Sequence, residues 1–221
     1  MKFVNFKNSL AFFLVTSLLS GCGNSANFPN INNIEPASIL LKNSSNNLNS
    51  VFPVINQNSG GLSRIIQRND KNFVLVYGSE KYGDKHIYMT TSKDAKNWET
   101  PKKITNSPLS DLSPAIIEDH GQLRVFYSSN QNGDWEIFQI TSKDAKKWSN
   151  PLKVNLDYQG VSNPSAIVNN GEILLTYEAL GNGIFTAHSK DGKEWLSNQG
   201  ATEGRNPSIQ VLDSTYVTVY E

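Results

Sequence analysis

The stretch TSKDAKNW at residues 91–98 returns as TSKDAKKW at 141–148 and, more loosely, as HSKDGKEW at 188–195. Its serines, Ser92, Ser142 and Ser189, stand 142 − 92 = 50 and 189 − 142 = 47 positions apart. A chain that repeats at such a period folds as copies of one small unit, each burying its faces on its neighbours. No other feature of the sequence restricts the fold as much.

The unit itself is legible from alternation. Tyr77, Tyr127, Tyr177 and Tyr220 close the apolar runs FVLVY, LRVFY, ILLTY and YVTVY. Thirteen positions before them stand Arg64, Pro114, Pro164 and Pro207, each opening another short run, with turn formers such as EDHGQ and NNGE between the two. That is a β-hairpin repeated four times. A third strand (HIYMT, EIFQI, IFTAH) leads into the recurring serine, and a weaker fourth follows the tryptophan at PKKIT and PLKVN. Four strands per unit of about 50 residues is the arithmetic of β-propeller blades. The sequence therefore predicts an all-β propeller of about four blades over residues 37–221.

A degenerate copy, ILLKNSSNNLNSVFPVI, precedes the first blade and aligns with IYMTTSKDAKNWETPKK at an offset of 48, setting Ser44 on Ser92 and Asn46 on Asp94. It offers third and fourth strands, whereas the last unit has only a first and a second. The two ends are expected to share one composite blade; a partial larger propeller is the alternative.

The recurring turn resembles the Asp-box of sialidase-like (BNR repeat) propellers, S-x-D-x-G-x-T-W, at Ser92, Asp94 and Trp98, at Ser142, Asp144 and Trp148, and at Ser189, Asp191 and Trp195. The first two copies depart from it, with Ala95 and Ala145 at the glycine position, which the third fills with Gly192. The resemblance spans the folded region and implies architecture more than activity: the motif satisfies the polar groups of its own turn and pins a hairpin. It also implies that these turns lie on the face away from any ligand.

Function is then expected on the other face, in the loops before each first strand and between second and third strands. The former carry Arg64, Asp111, Ser113, Asn163, Glu203, Arg205 and Asn206; the latter carry Glu80, Lys81, Asp84, His86, Asn130, Asp134, Trp135, Glu136 and Glu178. Carboxylates, amides, arginine and an aromatic ring suit a polyhydroxylated ligand, which planar groups bond in pairs and a ring covers. Arg64, Asp84, Asp111, Asp134, Trp135, Glu178 and Arg205 are the ligand-binding candidates. Sialidase chemistry, with three arginines, a tyrosine–glutamate nucleophile and an aspartate, cannot be completed: of four arginines, Arg68 and Arg124 fall at the far ends of their hairpins. RNP at 205–207 resembles the RDP of propeller fructosidases, but Asn206 stands where the acid would be. A catalytic set is thus not assigned. Nor is a metal site or cofactor expected, because His86, His120 and His188 occupy unrelated positions of different repeats.

The N-terminus places the domain. Lys2 and Lys7 precede the ten-residue apolar run LAFFLVTSLL, which is too short to span a bilayer that takes about 20 residues. LSGC, ending in the sole cysteine Cys22, resembles the lipobox of bacterial lipoproteins and implies cleavage before Cys22 and lipid on its sulfur. Residues 1–21 then form the signal peptide, 22–36 a lipidated, Asn-rich tether, and 221 − 21 = 200 residues remain, enough for one domain. Twenty basic and twenty acidic side chains cancel without runs of either sign, which argues against nucleic acid. The expectation is an envelope lipoprotein facing periplasm or exterior, membrane-bound through Cys22, with a glycan or an envelope protein as partner. A sialidase-like exo-glycosidase and a purely structural envelope module are the alternatives.

Overall fold

A computed structural model describes residues 38–42, 48–53, 63–79, 85–198, 202–212 and 215–221. The signal peptide, Cys22, the tether, Glu80, Lys81 and Asp84 lie outside the described residues. Residues 1–57 and 58–221 form two units.

In the first unit, β1 (Ser38–Lys42) and β2 (Leu48–Pro53) make an antiparallel hairpin. Its register corrects the alignment made above. An offset of 48 from the first blade would set Leu40 opposite Ile55, but Leu40 pairs with Val51. Five sequence positions separate these two strands, where nine separate the corresponding strands of the first blade, His86–Ser92 and Lys102–Lys103, so pairing is set at a shorter sequence separation.

In the second unit, β3 (Ser63–Gln67), β4 (Phe73–Ser79), β5 (His86–Ser92) and β6 (Lys102–Lys103) form a four-stranded antiparallel sheet in sequence order. β7 (Asp111–Asp119), β8 (Gln122–Ser129), β9 (Glu136–Ser142) and β10 (Leu152–Lys153) form the second. β11 (Val161–Asn169), β12 (Glu172–Ala179), β13 (Gly183–Ser189) and β14 (Leu196–Ser197) form the third, so the fourth strand predicted for two copies occurs in all three. β15 (Ser208–Leu212) and β16 (Thr215–Val219) pair as a two-stranded sheet. All four predicted hairpins are present.

The sheets stack face to face in chain order. Val74, Val76, Ile87 and Met89 of the first sheet share one apolar cluster with Ile116, Val125, Tyr127 and Ile140 of the second. Ala115, Phe126 and Ile137 from the opposite face of the second meet Ile173, Leu175, Tyr177 and Phe185 of the third. Because both faces of the middle sheet are covered, β8 is buried from Leu123 to Ser129, the polar Arg124, Ser128 and Ser129 included. The first strands β3, β7, β11 and β15 stand next to one another in that order.

The recurring motif acts as scaffolding. In each turn the aspartate accepts two backbone N–H bonds: Asp94 from Lys96 (2.9 Å) and Asn97 (2.7 Å), Asp144 from Lys146 (2.8 Å) and Lys147 (2.9 Å), and Asp191 from Lys193 (2.8 Å) and Glu194 (3.1 Å). The serine hydroxyl bonds the same carboxylate in all three. These bonds hold each carboxyl below the usual aspartate range. Trp98 and Trp195 close the turn by donating Nε1–H to the carbonyls of Ala95 and Gly192. His120 is likewise a turn residue, bonded to Asp119.

Candidate functional site

In an antiparallel sheet the Asp-box turns share an end with the first-to-second hairpin turns. The opposite end carries the start of each first strand, and there the backbone departs from regular geometry three times at equivalent positions. Ser113, Asn163 and Asn206 each precede a proline and each adopt a left-handed conformation, φ 50°, 51° and 51°. The β7–β8 and β11–β12 ladders shift register at these residues. Left-handed backbone costs a non-glycine residue free energy, and it persists where the surroundings over-determine it, commonly at functional sites. The two bulges re-aim Ser113 and Asn163 out of their ladders, and Asn206 takes the same conformation just ahead of β15.

Those side chains meet. Ser113 Oγ donates to Asn163 Oδ1 (2.8 Å), and Asn163 Nδ2 donates to Asn206 Oδ1 (3.0 Å) and to Glu178 Oε2 (3.0 Å). Asn206 adds its backbone N–H to the same Glu178 oxygen (3.3 Å) and its side-chain amide to Glu221 Oε2 (3.4 Å). A polar string thus runs across three successive first strands. It is supported from behind by a repeated device: the residue after the buried tyrosine, Ser128 in one sheet and Glu178 in the next, accepts the N–H of the next left-handed residue. Glu178 is nearly buried. Its Oε1 has no bond among the described residues, so one carboxylate oxygen is held and the other is open to a donor.

A second cluster lies nearby in sequence but is closed. His86 Nδ1 stands 3.2 Å from Asp111 Oδ2; the histidine is 4% exposed, the aspartate 0%, and Asp111 Oδ1 is buried without a partner. This pair ties the start of β5 to the start of β7, together with the bond from Asp111 N–H to the Lys85 carbonyl. Burial, with Asp111 as a lesser contributor, also pushes the Tyr127 phenol up. Asp111 thus bridges the starts of β5 and β7 through Oδ2 and its backbone N–H, while Oδ1 stays unbonded among the described residues.

The remaining candidates are dispersed. Arg64 is half-buried at the head of β3. Asp134 and Arg205 are exposed. Trp135 is half-buried, with its carbonyl accepting from Val161 N–H. Two residues of the string or its support, Ser128 and Glu221, and one aromatic, Tyr158, were not anticipated. Ser128 carried a signal, since it follows the repeat tyrosine as Glu178 does. Tyr158 carried none; it tilts against Phe185 at a centroid distance of 4.0 Å and is 38% exposed. Among the described residues no group of three or more His, Cys, Asp or Glu is arranged to hold a metal ion.

No protein-family model and no curated protein matches the sequence. Solved structures do match the fold. A thermostable family-43 glycoside hydrolase superposes with a TM-score of 0.56 at 19% identity, over 72% of this chain and 64% of its own. Zg3597, a family 117 glycoside hydrolase of Zobellia galactanivorans, gives 0.55 at 16% identity over the same shares. An α-L-arabinofuranosidase from Lactobacillus brevis gives 0.57 at 13% identity, over 77% of this chain and 70% of that one. The chain spans 64% of the length of the first two. At these identities the likeness concerns fold alone. It supports the propeller-like, glycosidase-type part of the sequence reading, the fold being shared with glycoside hydrolases of families 43 and 117, and it adds nothing specific to sialidases. The described strands thus share a β-propeller-like fold with these solved structures.

Proposed function

We propose that this protein is a carbohydrate-handling propeller of glycoside-hydrolase type, held at the bacterial cell envelope by lipid on Cys22, with glycan on the face of the polar string. One observation carries the reading: Ser113, Asn163 and Asn206 form a bonded line that ends on Glu178 and leaves one of its oxygens open. Hydroxyl, amide and carboxylate groups pre-set on strained backbone match the paired hydroxyls of a sugar. Hydrolysis is favoured within this reading by the names of the structural neighbours, which include a xylanase of Bacteroides thetaiotaomicron as well as the arabinofuranosidase. It would need a second carboxyl about 5–9 Å from Glu178. We also propose that β1–β2 supplies third and fourth strands to the sheet of β15–β16.

The chain lacking residues 1–22 should be assayed with p-nitrophenyl arabinofuranoside and xyloside and titrated with arabino- and xylo-oligosaccharides. Turnover or binding that disappears in Glu178→Gln, while the variant keeps its unfolding midpoint, supports the reading. Turnover marks an enzyme, and binding alone marks a lectin-like use of the fold. Undiminished binding or turnover in the variant would place the ligand elsewhere.

A further inference from the structure

Twenty basic and twenty acidic side chains cancel over the chain, yet the two ends of the second unit share them unevenly. At the Asp-box end every recurring turn carries exposed lysines at the same two places, Lys93 and Lys96, Lys143 and Lys146, Lys190 and Lys193, and the middle turn adds Lys147. Among the described residues, the loops at the polar-string end carry exposed Asp134, Asp157, Glu203 and Glu221 against one exposed cation, Arg205.

The turn itself does not call for these lysines. From Lys96, Lys146 and Lys193 it takes a backbone N–H for the aspartate, which other residue types supply equally. The third copy has exchanged threonine for His188, alanine for Gly192 and the residue before the tryptophan for Glu194, yet both lysines stay. The acids of that end are mostly engaged. Asp94, Asp144 and Asp191 each turn one oxygen onto two backbone N–H groups, whose dipoles offset the charge locally. Asp70 and Glu118 face Arg68, Asp119 faces Arg124, and Glu172 stands 3.9 Å from Lys190. Among the described residues Glu99 and Glu194 are the other exposed carboxylates set against the lysines.

Ammonium groups on flexible stems, spread over three successive turns, suit an extended anionic surface, to which each lysine adds its attraction separately within a screening length. The LSGC segment ending at Cys22 is the feature of the chain that calls for such a surface, at the end of a tether of residues 22–36. We infer that the Asp-box end is a docking surface for an anionic phospholipid membrane, which turns the polar string away from the bilayer. The inference rests on the envelope reading above, and its test needs no lipid on Cys22.

The mature chain, residues 22–221 without lipid, is sedimented with vesicles of phosphatidylethanolamine and phosphatidylglycerol and with vesicles of phosphatidylcholine alone. It should bind the first at about 0.05 M salt, release by about 0.3 M as screening shortens, and leave the second unbound. Replacing Lys96, Lys146 and Lys193 together by glutamine keeps the backbone N–H groups of the turns and should weaken binding at least about tenfold at an unchanged unfolding midpoint. Arginine at the same three positions should restore it. The triple variant Lys85→Gln, Lys102→Gln, Lys103→Gln removes as much charge outside that end and should bind as wild type does. Equal losses in the two glutamine triples would make net charge the cause and overturn the inference. So would equal binding to both vesicle types, or binding to heparin with none to vesicles, which marks a soluble polyanion as the partner. Absent vesicle binding together with fatty-acid labelling of Cys22 removes the surface and keeps the anchor, whereas vesicle binding without labelling does the reverse.

Discussion

Gly192 lies under the guanidinium of Arg124, one sheet away, so closely that a Cβ built on it would sit inside contact distance of Arg124 Nη1 and Cζ and 2.8 Å from Nη2. Arg124 Nη2 donates to the Asp191 carbonyl and Gln139 Nε2 to the Gly192 carbonyl, so the third Asp-box turn docks on a polar pair. The equivalent turn of the second sheet docks differently: Ala145 shares an apolar cluster with Val74 and Met89, which occupy the positions of Arg124 and Gln139. Backbone does not explain the glycine, because Ala95 and Ala145 take φ 57° in the same turn. The side chain across the junction does.

Gly192→Ala should therefore destabilise by about 2 kcal/mol through overpacking. Adding Arg124→Val and Gln139→Met rebuilds the apolar junction of the preceding pair. Urea unfolding should find the triple variant more stable than the sum of the separate changes predicts, a coupling expected of residues in contact. Additive losses would sever the link between glycine and arginine.

The Asp-box carboxylates set an acid limit. Asp94, Asp144 and Asp191 are held below the ordinary aspartate pKa by the backbone N–H groups of Asn97, Lys147 and Lys193 first of all. A depressed folded-state pKa contributes stability that is complete above the unfolded value, near 4, and is lost as pH falls toward the folded value. The unfolding midpoint should drop between about pH 4 and pH 2, and replacing all three by asparagine should flatten that decline. An equally steep acid arm in the triple variant would assign the effect to other carboxyls.

Much of this architecture could be read from alternation and period, because a half-buried strand repeats every two residues and each blade repeats the same contacts. Burial could not. Tyr77, Tyr127, Tyr177 and Tyr220 hold one place in the repeat, yet the first three are 4%, 1% and 0% exposed and Tyr220 is 46% exposed. The difference lies in the neighbours: β4, β8 and β12 each have strands on both sides, and among the described residues β16 is paired with β15 on one side. The site was legible as residues and hidden as geometry. Ser113, Asn163 and Asn206 could be placed at the start of their first strands, but their left-handed backbone, bulged at the first two, breaks the alternation from which strands are read. The burial of Asp111 beside His86 was equally hidden, since nothing in its sequence neighbourhood pairs the two.

Trp148 differs from its two counterparts in a way that mutation can report. Its Nε1 is buried without a partner, whereas those of Trp98 and Trp195 are bonded at 3.2 and 3.3 Å. Trp148→Ala should cost on the order of 3 kcal/mol, with ligand affinity retained in the folded fraction. Trp148→Phe should cost less than Trp195→Phe, which forfeits a hydrogen bond of about 1 kcal/mol. Calorimetric midpoints of the two phenylalanine variants check the order, and the reverse order would refute it.

Export and anchoring are tested at Cys22. Cys22→Ser should abolish labelling by a fatty-acid analogue and either release the protein from membranes or leave it unprocessed. Labelling at the wild-type level in that variant would sink the lipoprotein reading.

The sheet of β15 and β16 supplies the final test. Val217, Val219 and Tyr220 are 39%, 65% and 46% exposed, and an apolar strand edge left open invites pairing with other chains. The three preceding sheets have four strands each, and β1–β2 is a two-stranded antiparallel sheet. If that hairpin completes the last sheet, deleting residues 23–36 should leave solubility and unfolding midpoint unchanged. Deleting 23–56 should produce aggregation or a markedly lower midpoint, measured by light scattering and thermal melts. An equally stable monomer after the longer deletion would show that β1–β2 contributes nothing to the propeller, and the register difference between Leu40–Val51 and the blade pattern would then mark it as an independent hairpin.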